Sequence, residues 1–134
     1  MSDQYILDSY AVLALLGKEP GHDRVFELLN RSQKGKDWVA MTWVNVGEVA
    51  YIVQRRWDIS HVHQILANLE SSKVVFVEVE QQLALKAADL KADFPIAYAD
   101  AYAAALAEMK GAVLITGDPE FKVLENKLSI EWIK

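Results

Sequence analysis

Apolar residues occur in two kinds of segment that alternate along the chain. Short runs rich in apolar and β-branched residues predict strands, and longer segments with apolar residues every three or four positions predict helices. Strands are predicted at 4–7, 37–41, 74–79, 113–116 and 129–133. Helices are predicted at 10–16, 22–33, 42–57, 60–69, 82–92 and 96–110, with a short one at 120–124. This alternation predicts the α/β class, as a three-layer α/β/α sandwich with a mainly parallel central sheet.

Length and composition are those of an ordinary globular protein. The chain has 134 residues, of which 52% are hydrophobic and 25% charged, and it has no cysteine. Disulfides and thiolate zinc sites are therefore excluded. The first residues lack the basic start and apolar core of a signal peptide, and no apolar run approaches the roughly 20 residues that span a bilayer. We expect a single domain over residues 1–134, a cytoplasmic location and no contact with a membrane.

Two aspartates lie at the carboxyl ends of predicted strands. Asp8 comes after Tyr-Ile-Leu, and Asp118 comes after Leu-Ile-Thr-Gly. In open parallel sheets the ligand crevice lies beyond the carboxyl ends of the strands, near the point where the strand order reverses. Each aspartate could instead be only a helix cap or a turn residue, and a cap can still bind a metal.

Two more acids lie in predicted helices whose other residues are mostly apolar. Thr42, Asn45 and Glu48 form one polar stripe on a helix that is otherwise rich in valine, and Thr42 is a possible N-cap. The alternative is a partly solvated edge of an amphipathic helix. Asp100 is the one acid within 97–107, which is small and apolar on every side and so predicts a buried helix. The helix dipole stabilises a carboxylate there by about 0.3–1 kcal/mol, which is too little to hold a buried charge.

These four acids predict a divalent metal site if the fold brings them together. Converging carboxylates repel one another unless a cation joins them, and oxygen ligands without cysteine select Mg²⁺ or Mn²⁺. Such a site suits hydrolysis of a phosphodiester. The net charge of −5 does not argue against nucleic acid, because four metal-binding acids would leave 15 acids against 14 basic residues.

Four motifs in order resemble those of PIN-domain ribonucleases, and most closely the VapC-type toxins of toxin–antitoxin pairs. The motifs cover essentially the whole chain. They are Tyr-Ile-Leu-Asp8-Ser9, Asn45-Val-Gly-Glu48, Tyr98-Ala-Asp100 and Thr116-Gly-Asp118-Pro-Glu-Phe121. One departure is Ala97, since family members often carry serine or threonine three residues before the third acid. This departure puts one supporting contact in doubt, and it leaves the predicted ligand set intact.

The resemblance implies a metal-dependent endoribonuclease whose products carry 5′-phosphate and 3′-hydroxyl ends. Asp8, Glu48, Asp100 and Asp118 would bind one or two Mg²⁺ or Mn²⁺ ions as the catalytic and metal-binding residues. Three polar residues would orient these carboxylates, namely Ser9, Asn45 and Thr116. The resemblance also implies a homodimer, an RNA substrate and a VapB-type antitoxin, whose C-terminal segment covers the groove that contains the four acids.

Several interpretations remain open at this stage. Arg55 and Arg56 could bind RNA phosphates and Trp43 could form a groove wall, but they could equally be a solvated helix end and a residue at the edge of the core. A housekeeping RNA-processing nuclease and a catalytically degenerate PIN scaffold are the alternative functions. Haloacid-dehalogenase phosphatases are disfavoured because position 10 is tyrosine rather than aspartate.

Overall fold

A five-stranded parallel sheet forms the centre of the computed structural model, which describes residues 3–134. The strand order is β3-β2-β1-β4-β5, and every neighbouring pair is parallel. The strands are β1 (Gln4–Leu7), β2 (Trp38–Thr42), β3 (Val75–Val77), β4 (Val113–Thr116) and β5 (Ile130–Trp132). The predicted α/β class and parallel sheet are thus confirmed.

Six α-helices and one 3₁₀-helix connect these strands. They are α1 (Ser9–Leu16), α2 (His22–Gln33), α3 (Trp43–Arg56), α4 (Ile59–Ser71), α5 (Gln81–Asp93), α6 (Tyr98–Lys110) and the 3₁₀-helix at Pro119–Leu124. The predicted elements are all present, with differences at their ends. The strand predicted at 74–79 is shorter, because the third strand lies at the edge of the sheet and pairs on one side only. None of the helices in residues 3–134 combines the length and apolar character that crossing a membrane requires.

The two faces of the sheet bury separate sets of apolar side chains. Along β1, Tyr5 and Leu7 face α1–α4, whereas Ile6 faces α5 and α6. β4 repeats this alternation with Ile115 on the first side and Leu114 on the second. The period of two along a strand thus places one helical layer on each face, which gives the predicted three layers.

The strand order reverses between β1 and β4. From β1 the chain proceeds to β2 and β3 on one side, and it returns to β4 and β5 on the other. β1 and β4 are paired neighbours, with Leu7 opposite Ile115. Asp8 and Asp118 follow these two strands, so both lie at the position where open α/β sheets form their ligand crevice.

Candidate active site

A cleft of about 280 Å³ opens beside the carboxyl ends of β1 and β4. Three of the four predicted acids, Glu48, Asp100 and Asp118, are among its lining residues. Asp8 is only 1% exposed and lies directly before Ser9, which also lines the cleft. The complete lining is Ser9, Tyr10, Leu13, Glu48, Ile52, Ala97, Asp100, Asp118 and Glu120. Four segments that are distant in sequence thus bring their acids to one place.

Asp8 is held by two hydrogen bonds. Its Oδ1 accepts from the backbone N–H of Ala11 at 2.8 Å, which caps α1, and its Oδ2 accepts from the hydroxyl of Thr116 at 2.5 Å. The pKa of Asp8 is raised from its ordinary value to about 7, mainly by burial and to a smaller extent by the negative charges of Asp118 and Glu48, and the two hydrogen bonds oppose this rise. Asp8 is therefore both a helix cap and a member of the acidic group.

Asp118 is positioned by the turn that follows β4. Its backbone N–H donates to the hydroxyl oxygen of Thr116 at 3.0 Å, and its Oδ1 accepts from the backbone N–H of Glu120 at 2.9 Å. Thr116 is fully buried and thus contacts Asp8 and Asp118 with one hydroxyl group. The side chain of Asp118 caps the 3₁₀-helix and stays partly exposed to the cleft.

Glu48 lies partly buried on α3, whose first turn is fixed by a buried polar pair. Thr42 is the N-cap, and its hydroxyl oxygen accepts from the backbone N–H of Asn45 at 3.1 Å and donates to Asn45 Oδ1 at 2.6 Å. Both residues are fully buried. They are therefore not the solvated edge of an amphipathic helix, which was the alternative for this stripe.

The first turn of α6 carries Asp100. Burial raises the pKa of Asp100 to about 8, and the next largest cause is a hydrogen bond with the carboxyl group of Glu120, followed by the charges of Glu120, Asp118 and Asp8. Sequence reasoning missed Glu120 as a member of the site. Its Oε1 accepts from the backbone N–H of Ala97, the N-cap residue of α6, whose own side chain cannot cap the helix.

Three buried polar residues join the segments that carry the acids. The hydroxyl of Ser9 donates to the backbone carbonyl of Asn45 at 3.3 Å, linking α1 to α3. The side-chain amide of Asn45 donates to the carbonyl of Ala99 at 3.0 Å, linking α3 to the residue before Asp100. Thr116 links the ends of β1 and β4. Each of the three residues that the family resemblance singled out thus connects two acid-bearing segments.

The donor set fits a hard divalent cation, although it does not form a closed cage. Within residues 3–134 no three acidic or histidine side chains are grouped tightly enough to hold a metal ion as they stand. The raised pKa values of Asp8 and Asp100 leave both partly protonated near neutral pH. A divalent cation that binds here would displace these protons, and carboxylate oxygens with neighbouring water suit Mg²⁺ or Mn²⁺.

The three residues considered for RNA contact lie in different surroundings. Trp43 packs edge-on against Phe76, with ring centroids 5.0 Å apart, and it is not part of the cleft lining. The guanidinium of Arg55 lies over the ring of Tyr51, 5.3 Å from its centroid. Arg56 lines a hollow next to the cleft, together with Tyr10. Trp43 is 41% exposed but lies outside the lining of this cleft, and its role as a groove wall stays a prediction.

Comparison with known proteins identifies the family. The model of the PIN domain matches residues 5–127, which is most of the chain. This chain belongs to the PIN domain family. Among curated proteins, none matches its sequence.

Solved structures with the same fold come from toxin–antitoxin systems. VapBC2 from Rickettsia felis, bound to a DNA fragment from its promoter, has a TM-score of 0.77 at 19% identity, over 98% of this chain and 99% of that chain. DNA-bound VapBC from Salmonella typhimurium has a TM-score of 0.71 at 16% identity, over 98% of each chain. Mycobacterium tuberculosis VapC20, a toxin that cleaves the sarcin–ricin loop, has a TM-score of 0.68 at 19% identity, over 89% of this chain and 93% of that chain. At these identities the likeness establishes the PIN fold.

Proposed function

We propose that this PIN domain is a metal-dependent endoribonuclease and the toxin of a VapBC-type toxin–antitoxin pair. It hydrolyses RNA phosphodiester bonds in the cytoplasm and leaves 5′-phosphate and 3′-hydroxyl ends. The main observation behind the proposal is that four acids lie together where the strand order of the sheet reverses. Three of them line one cleft, and Asp8 is buried behind it. The family match and the toxin structures of the same fold support it.

Asp8, Glu48, Asp100 and Asp118 are the proposed ligands of Mg²⁺ or Mn²⁺. When bound by these carboxylates, a divalent ion would supply an acidified water as the nucleophile and would offset negative charge on the phosphate. The protein contributes fixed carboxylates, because Ser9, Asn45 and Thr116 hold the segments that carry them. Such support restricts each carboxylate to a narrow range of positions, on which the rate of a metal-assisted reaction depends.

Replacing single ligands by their amides tests this assignment. Glu48→Gln and Asp118→Asn should abolish cleavage of total cellular RNA by the purified protein in Mg²⁺ or Mn²⁺, with unchanged circular dichroism. Asp89→Asn is the matched control, because Asp89 is an exposed acid on α5, on the far side of the sheet from α3. Cleavage by the amide variants at the wild-type rate, or equal cleavage in EDTA, would disprove the metal site.

Expression in a bacterial host distinguishes the proposed toxin from the alternatives. Growth arrest with cut RNA for wild type, and not for Glu48→Gln, is expected for a toxin. Normal growth with cleavage in vitro would instead point to a housekeeping RNA-processing nuclease. Absence of cleavage under all metal conditions would point to a degenerate scaffold.

A second groove, formed by α1, α2 and α4, is the proposed docking surface for the antitoxin. It has a volume of about 330 Å³ and an amphipathic lining, with five apolar residues, Leu15, Leu16, Phe26, Leu29 and Ile65, and five polar ones, Asn30, Gln33, Asn68, Ser71 and Ser72. Phe26 is 57% exposed and lies beside the other apolar residues of this lining. The toxin structures of the same fold include complexes with antitoxins, which supports a partner here.

Substitution in this groove tests the partner proposal. Phe26→Asp should preserve RNA cleavage while weakening neutralisation by the antitoxin encoded beside the gene, measured as rescue of growth. Val123→Asp is a matched control, because Val123 is also an exposed apolar residue but lies on the 3₁₀-helix. Equal loss of rescue in both variants would contradict the assignment. Sedimentation of the purified chain tests the proposed homodimer.

A further inference from the structure

A second hollow, between α1 and α3, adjoins the candidate active-site cleft. This hollow has a volume of about 190 Å³ and shares Tyr10 and Leu13 with the cleft. Its remaining lining consists of Ala14, Glu19 and Arg56. The two spaces therefore lie side by side along α1, with the acids on one side of Tyr10 and an arginine on the other. We call the two adjoining spaces together the α1–α3 groove.

Two adjacent arginines at the end of α3 point in different directions. Successive residues of a helix are separated by about 100°, so neighbours cannot occupy the same face. Arg56 lines the α1–α3 groove, whereas Arg55 lies over Tyr51 in a separate hollow that contains Gln54. Arg56 is eight residues from Glu48 along α3, an axial distance of about 12 Å. It can therefore contact a phosphate other than the one at the acids.

Tyr10 forms the wall between the acids and Arg56. A Cβ atom at Gly117 would lie 2.4 Å from Cε1 of Tyr10, so the absence of a side chain lets the ring pack against the backbone just before Asp118. The tyrosine remains 38% exposed. An exposed ring that is held from behind is suited to stack against a nucleobase.

The lining of the groove has five acids, Glu19, Glu48, Asp100, Asp118 and Glu120, and one basic residue, Arg56. The acids repel phosphates unless a metal is bound, so Arg56 is the lining residue that can bind a phosphate away from them. Arg56 is exposed, and among the ion pairs of residues 3–134 none joins it to Glu19, the other charged residue of its hollow. Its guanidinium is thus available to a phosphate.

We propose that the α1–α3 groove is the path of single-stranded RNA beyond the cleavage site. Arg56 binds the phosphate of a nucleotide away from the scissile bond, and Tyr10 stacks on a base between them. This inference rests on the proposed nuclease function. It assigns Arg56, and not Arg55, to a second phosphate subsite, whereas the sequence analysis considered the two arginines together.

Binding of a fluorescein-labelled single-stranded RNA of mixed sequence, roughly ten nucleotides long, tests the path. Fluorescence anisotropy is measured in Ca²⁺ over a series of salt concentrations. Arg56→Ala should weaken binding about fivefold, and it should reduce the slope of log K against log salt by about 0.7. Arg56→Lys should retain the wild-type slope, because the charge is preserved. Tyr10→Leu should weaken binding and Tyr10→Phe should not.

Arg55→Ala is the matched comparison and should change the slope by much less than Arg56→Ala. A labelled dinucleotide, which is too short to reach from the acids to Arg56, should bind equally to wild type and Arg56→Ala. Wild-type binding by Arg56→Ala, or an equal loss with Arg55→Ala, would overturn the proposed path. If wild type cleaves RNA in Mg²⁺ while Arg56→Ala binds normally, only the path is wrong. If wild type neither binds nor cleaves RNA, the nuclease proposal fails with it.

Discussion

Replacing Asp8 by asparagine should stabilise the metal-free protein at pH 8 and change its stability little at pH 4. Burial raises the pKa of Asp8 to about 7, against about 3.9 in an unfolded chain. At a pH between these two pKa values, Asp8 is protonated in the folded protein and ionised in the unfolded chain. The free energy of unfolding therefore falls as the pH rises from about 4 to about 7, and the loss is complete above that range. Asparagine has no proton to lose.

The magnitude follows from the size of the pKa difference. A difference of about three corresponds to about 4 kcal/mol, which is a large part of a typical domain's stability. The amide oxygen of asparagine can still accept from the N–H of Ala11, and its NH₂ group can donate to the hydroxyl oxygen of Thr116. Replacing a charge-assisted bond by a neutral one costs about 1 kcal/mol. We expect a net gain of about 2–3 kcal/mol at pH 8.

Urea unfolding in EDTA at pH 4, 6 and 8 measures this effect. The difference between Asp8→Asn and wild type should increase with pH, whereas the exposed control Asp89→Asn should show no such trend. Saturating Mg²⁺ should stabilise wild type, by about 2.7 kcal/mol at one hundred times its Kd, and stabilise the variant much less. A loss of stability at pH 8, or a gain of the same size at every pH, would refute the reasoning.

Three further predictions concern substitutions of residues in and beside the cleft. Glu120→Ala should lower the pKa of Asp100, measured by NMR titration, because the carboxyl group that hydrogen-bonds to it is removed. Ala97→Ser should raise the free energy of unfolding by about 1 kcal/mol, since serine supplies the side-chain cap that α6 lacks. Gly117→Ala should destabilise the fold by about 2 kcal/mol or more and impair cleavage, because its methyl group would overlap the ring of Tyr10. Urea unfolding measures the last two, and no change in Gly117→Ala would contradict the close packing.

The positions of two acids could be predicted because they depend on a rule of the fold. Asp8 and Asp118 lie within two residues of the ends of strands, and the carboxyl ends of adjacent parallel strands lie at the same edge of a sheet. To predict that these two acids lie close together, it was enough to recognise the alternation of strands and helices. The N-cap role of Thr42 was likewise predictable from residue type and from its place before a helix.

Other features depend on neighbours that are distant in sequence. Helix geometry separates Arg55 from Arg56, but which of the two lies beside α1 depends on tertiary packing. Trp43 was considered as a groove wall because it lies near Glu48 in sequence, and the edge strand β3 supplies Phe76 as its packing partner. In both cases the neighbour of the side chain is set by tertiary packing and not by the local sequence.

Glu120 explains how α6 starts without the usual hydroxyl residue at position 97. Asp100 is the third residue of this helix, and in a capping box an acid at that position turns back to the N–H of the N-cap residue. Here the carboxylate of Glu120 accepts from that N–H, which belongs to Ala97. The side chain of Asp100 is therefore not needed as a cap and remains in the cleft lining. Loss of Glu120 would allow Asp100 to turn back, so Glu120→Ala should reduce cleavage even though Glu120 is not among the proposed ligands. With Ala97 at the N-cap, Glu120 from another segment accepts from its N–H, and Asp100 does not have to serve as the cap.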